Sequence, residues 1–150
     1  MKKNTNNPKG LTLIEIMITI SIIIILLGIS IVFIKEYNVK VQLVVTSSEL
    51  KSNINKAREK TISEQKIYGI HFFESENRYE FILAESPENP IESYTLDQGI
   101  WFSQISSFTD DILKFNKAGG ASESGIIILE NTDQNNKTIT INPSGYIYAE

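Results

Sequence analysis

The chain has 150 residues, 14 Lys and Arg, 18 Asp and Glu, a single His and no Cys. That length allows one modest domain, and the missing thiols exclude disulfides, thiolate catalysis and cysteine metal sites. A formal net charge of -4 argues against a general polyanion binder.

In chain order, Lys2, Lys3 and Lys9 come first, then Gly10, then Leu11-Thr-Leu-Ile-Glu15, and then an apolar run from Ile16 to Ile34 that contains no charge. Those nineteen residues span roughly 28 Å as a helix, about the hydrocarbon thickness of a bilayer. The expectation is a single membrane crossing over residues 11–34, with the basic N-terminus on the cytoplasmic side and the remainder beyond the membrane. A conventional signal peptide has a shorter apolar core and a small-residue cut site, whereas this run continues into Phe33-Ile-Lys-Glu-Tyr37. A plain signal anchor is the second alternative. Glu15 is the residue neither alternative explains, because an unpaired carboxylate in an apolar run is costly and marks a function with a partner that answers its charge.

Beyond Ile34 no proline occurs until Pro87, and Leu43, Ser47, Leu50, Ile54, Ala57 and Thr61 recur at spacings of three and four. The pattern predicts one helix from about Leu11 to about Ser63, with residues 35–63 as an amphipathic continuation that packs on a head. The head, 64–150, reads as strands. Ile67–Phe73 and Arg78–Ala84 flank Glu74-Ser-Glu-Asn77 as a hairpin, with Tyr79, Phe81 and Leu83 on one face. Further strands are expected at Ile91–Leu96, Ile100–Phe102, Ile112–Phe115, Gly125–Glu130, Lys137–Ile141 and Gly145–Tyr148, forming one mainly antiparallel sheet laid against the helix.

Side chains with chemical potential are few. His71 lies in an aromatic strand and reads as a packed strand residue; Asp110-Asp111 reads as a solvated turn; Tyr146 and Tyr148 share a strand face. No catalytic residue, cofactor or metal ligand set is predicted.

Lys9-Gly-Leu-Thr-Leu-Ile-Glu15 followed by an unbroken apolar segment resembles the class III prepilin signal of type IV pilins and type II secretion pseudopilins. Ser48–Arg58, Leu113–Gly119, Gly125–Leu129 and Thr138–Ile147 in turn resemble the GspH/FimT group of minor pseudopilins and minor pilins. The resemblance implies an α+β, type IV pilin-like fold whose long helix, transmembrane in its first half, packs by its second half on the sheet. It implies that residues 1–10 are a leader, that a prepilin peptidase cuts after Gly10 and N-methylates Leu11, and that Glu15 answers the freed amine of a neighbouring subunit during assembly. The implied function is a non-enzymatic subunit at or near the tip of a secretion pseudopilus or a pilus. Its implied partners are the peptidase, other major and minor pilins, membrane lipid and an inner-membrane assembly platform. The alternative, a DNA-binding minor pilin of a DNA-uptake pilus, is disfavoured by charge. From Thr61 onward five bases, Lys66, Arg78, Lys114, Lys117 and Lys137, face fourteen acids, and Pro143–Glu150 has no base at all.

Overall fold

The structure, a computed structural model, describes residues 12–106 and 108–150, with only the backbone of 29–38. The chain divides into two compact units, Met1–Tyr37 and Asn38–Glu150. Helix α1 runs from Leu13 to Glu64, close to the bounds expected from its unbroken, proline-free sequence.

In the second unit every residue of the predicted stripe is buried, Leu43, Ser47, Leu50, Ile54, Ala57 and Thr61 alike. Eight strands follow: β1 Tyr68–Phe73, β2 Arg78–Leu83, β3 Glu92–Thr95, β4 Ile100–Ile105, β5 Ile112–Lys114, β6 Gly125–Asn131, β7 Asn136–Ile141 and β8 Ile147–Ala149. The β1–β2 hairpin turns through a one-turn 3-10 helix, Glu74–Glu76, closed by Asn77 in the left-handed region. As the alternation required, Tyr79 and Phe81 are buried and Leu83 packs on the same core.

Where one sheet was expected, the strands form two antiparallel sheets of four, ordered β3-β2-β1-β5 and β4-β6-β7-β8. Period-2 patterning defines which face of a strand is apolar but not which strand lies beside it. β4 is also longer than predicted and shifts register between Phe102 and Gln104. β8 starts later than predicted, because Gly145 at φ +79 serves the turn in which its N–H donates to the Asn142 carbonyl.

Apolar side chains from α1 (Leu50, Ile54, Ala57) and from both sheets (Phe81, Leu113, Ile127, Ile139) fill one core. Polar contacts fix the helix against it. Asn53 Nδ2 donates to the Tyr79 hydroxyl at 2.9 Å, and Lys56 Nζ donates to both Glu92 carboxylate oxygens at 2.6 and 2.7 Å. The Lys56 ammonium and the Tyr94 hydroxyl hold Glu92 below the usual carboxylate range. Arg58 Nε donates to the Gly119 carbonyl at 2.7 Å, tying the loop after β5 to the helix.

The membrane-crossing assignment of residues 11–34 is corrected: among the described residues, no helix is long and apolar enough to cross a membrane. The apolar side chains described at the start of α1 extend from Leu13 to Leu27 with Glu15 among them. The side chains of 29–34 lie outside the described residues. The transmembrane first half of the fold assignment and the single-pass placement with a cytoplasmic N-terminus both rested on that segment and fall with it.

Candidate assembly site

Gly10 and Leu11, the predicted cleavage pair, and the preceding lysines lie outside the described residues. Thr12 caps α1. The Thr12 backbone N–H and hydroxyl donate to Glu15 Oε2 at 2.7 and 2.8 Å, and the Glu15 N–H donates back to Thr12 Oγ1 at 3.3 Å. This is a reciprocal capping box, in which the residue before the helix and the third helical residue satisfy each other's otherwise orphaned donors. The helix also orients the acid, since a carboxylate at the third helical position reaches back toward the N-terminus, where the partial positive charge of the helix favours it.

Glu15 therefore has a local function beside the one expected of it. Thr12 enters the sequence analysis only as part of the processing motif, not as a cap. Its signal was legible, because Thr-x-x-Glu directly ahead of an apolar run is the sequence form of this cap. The capping geometry occupies Oε2, and no hydrogen bond to Oε1 is seen among the described residues.

The helix behind this cap is apolar all round. Its large side chains from Leu13 to Leu27 have exposures between 46% and 76%. A continuous surface of this kind marks an interaction site rather than a solvated face. Thr19 and Ser21 interrupt it without unsatisfied donors, their hydroxyls bonding back to the carbonyls of Ile16 and Met17.

The head holds no comparable constellation. His71 is on β1, its ring 4.2 Å from that of Phe73, and its Nδ1 is buried without a hydrogen-bond partner. It borders an open cavity of about 770 Å³ shared with Phe73, Glu74, Ser106, Phe108 and Asp111. Asp110 and Asp111 both take the left-handed conformation in the turn before β5, and Asp110 lies 3.8 Å from Lys114. Among the described residues no group of three or more His, Asp or Glu could hold a metal ion. Arg78 is engaged by Glu76 and Glu80 and lies over the Phe73 ring. Tyr146 is 63% exposed and stacks on Tyr148 at 6.0 Å.

Residues 5–31 match the prokaryotic N-terminal methylation motif. No curated protein matches the chain significantly. Among solved structures, the chain is similar to the minor pseudopilin EpsH from the type 2 secretion system of Vibrio cholerae, with a TM-score of 0.60 and 12% identity over 73% of this chain and 96% of that one. It is equally similar to the type IV minor pilin FimU of Pseudomonas aeruginosa, with a TM-score of 0.60 and 15% identity over 74% of this chain and 90% of that one. At these identities the likeness is one of fold.

Proposed function

We propose that this chain, which joins a prokaryotic N-terminal methylation motif to a type IV pilin-like fold of the minor pseudopilin and minor pilin kind, is a non-enzymatic filament subunit. The observation that carries the reading is the placement of that motif, which takes in the cap of α1 and the uncovered apolar surface behind it. Gly10 is the last leader residue and Leu11 the methylated N-terminus. Glycine suits the cut, since it leaves no side chain in the way of the peptidase. The peptidase, the neighbouring subunits and an assembly platform are the partners of this reading, and a place at or near the filament tip agrees with the minor-subunit fold of its structural relatives.

Intact mass is the direct test. Protein from cells that contain a prepilin peptidase is expected to begin at Leu11 and to carry one added methyl group. A chain retaining Met1 under those conditions overturns the reading.

The charge of the head bears on the DNA-uptake alternative. Affinity for duplex DNA rests on neutralised phosphates, and here acids outnumber bases by nine from Thr61 onward. The expected result is no saturable binding to a duplex at ~0.15 M salt, where each lost phosphate contact weakens binding steeply. Micromolar binding that falls with added salt would favour the DNA-uptake reading instead.

A further inference from the structure

Strand β1 extends from Tyr68 to Phe73, but β5 pairs only with Gly69, Ile70 and His71. The Phe115 N–H donates to the Tyr68 carbonyl and the Ala84 N–H to the Ile67 carbonyl, so even-numbered residues of β1 turn their backbone groups toward β5 and odd-numbered ones toward β2. Phe72 is the even-numbered residue left over. The residue that would continue the ladder opposite it is Asp111, and both Asp110 and Asp111 stand at positive φ, 59° and 56°. Two consecutive left-handed residues without glycine are costly, and they end β5 one pairing short. No hydrogen bond to the Phe72 N–H or carbonyl is seen among the described residues, although Phe72 is only 3% exposed. A buried backbone pair without partners is rare in a folded chain and calls for a ligand.

The gap left beside Phe72 belongs to the cavity of about 770 Å³ that Phe72 lines together with Glu74 and Asp111. Its charge is one-sided. Neither carboxylate has a hydrogen bond or an ion pair among the described residues, and no Lys or Arg lines the cavity. On the strands that flank β1, Arg78 is engaged by Glu76 and Glu80, and Lys114 lies beside Asp110. Phe73, Ile105 and Phe108 supply an apolar wall.

From the unpaired Phe72 backbone and the two unengaged acids we infer that this cavity binds an extended segment of a partner polypeptide that carries lysine or arginine. One residue of the segment takes the ladder position that Asp111 leaves, accepting from the Phe72 N–H and donating to the Phe72 carbonyl. The basic side chains beside that residue meet Glu74 and Asp111, and their aliphatic stems lie along the apolar wall. Each requirement excludes a competitor. A simple amine answers the carboxylates and the carbonyl but has nothing to accept the Phe72 N–H. An acidic or phosphorylated segment completes the ladder but brings its charge against two carboxylates. A second copy of this head, with nine more acids than bases from Thr61 onward, is disfavoured on the same ground. The inference is independent of the role assigned to the N-terminal segment.

Amide hydrogen exchange at Phe72 tests this in the full chain, held in detergent that covers the apolar surface of α1. In the free chain the Phe72 amide is expected to exchange faster than that of Ile70, which pairs with Leu113. A capped lysine-valine-lysine tripeptide at saturation is expected to slow Phe72 exchange on the order of tenfold. The glutamate-valine-glutamate tripeptide and butylamine are expected to leave it unchanged. Glu74→Gln, away from the left-handed turn, is expected to weaken the lysine tripeptide about threefold. Adding Asp111→Asn removes the second charge with a residue that tolerates the left-handed conformation, for a combined loss on the order of tenfold. Equal exchange of Phe72 and Ile70 in the free chain, or no protection by the lysine tripeptide, overturns the inference. So does equal protection by the glutamate tripeptide or by butylamine, or an affinity indifferent to Glu74→Gln.

Discussion

Glu15→Gln and Glu15→Ala are both expected to be cleaved and methylated normally and then to fail to enter filaments. The capping box makes the pair informative. Glutamine at the third helical position still accepts a hydrogen bond from the Thr12 N–H, so Glu15→Gln preserves the cap while removing the charge. Alanine removes both, with a capping loss of about 1 kcal/mol. If the carboxylate pairs with the freed amine of a neighbouring subunit, the two variants lose assembly alike, because breaking one side of a buried ion pair costs about 3–5 kcal/mol. If Glu15 acts only as a cap, Glu15→Gln assembles like wild type and only Glu15→Ala is impaired. The measurement is crosslinking of processed subunits to their neighbours, scored with filament formation or secretion. Wild-type incorporation of Glu15→Gln would sink the pairing role. The head fold is expected to be unchanged in both variants, since among the described residues its core draws on α1 from Leu43 onward.

The second large effect is expected at Gly145. Its φ of +79 is a conformation that side chains resist, and a Cβ there would sit 1.9 Å from the Gly119 carbonyl oxygen and 2.8 Å from Arg58 Nε. That carbonyl is the acceptor of the Arg58 side chain. Gly145→Ala therefore adds backbone strain, forces two loops apart and breaks a charge-assisted hydrogen bond, together about 3 kcal/mol or more. Gly99 is the control. It has a similar φ of +86, yet an added Cβ there comes only within 3.4 Å of Thr132 Cγ2. Gly99→Ala should cost about 1 kcal/mol, from backbone strain alone. Guanidinium unfolding followed by Trp101, the one tryptophan, compares them. Equal midpoints for the two variants would mean that the loops at Gly119 and Gly145 yield without cost.

What the sequence determined by itself is whatever rests on contacts between near neighbours in the chain. The helix periodicity from Leu43 to Thr61 forecast its buried face except Thr46, and alternation in Arg78–Leu83 forecast that Tyr79 and Phe81 enter the core but not that Ile82 is buried as well. The methylation segment was legible for the same reason, as a glycine, an acid and an apolar run within a few turns of one another. The Thr12–Glu15 cap was equally local and equally legible, though it was read only as part of a processing motif.

Tertiary structure decided what depends on residues far apart. Eight strands with correct faces are compatible with one sheet or two, and the division came from packing both sheets on a single helix stripe. Arg58 meets Gly119 across 61 positions, and Lys56 meets Glu92 across 36, distances over which a sequence pattern carries no geometric information. The apolar run read as a membrane span from its length and lack of charge, whereas among the described residues no helix is long and apolar enough to cross a membrane. The free edge of β8 is likewise a property of the assembled sheet. A strand's backbone groups point to both sides, and the placement of the other strands leaves one side of Ile147–Ala149 without a hydrogen-bond partner among the described residues.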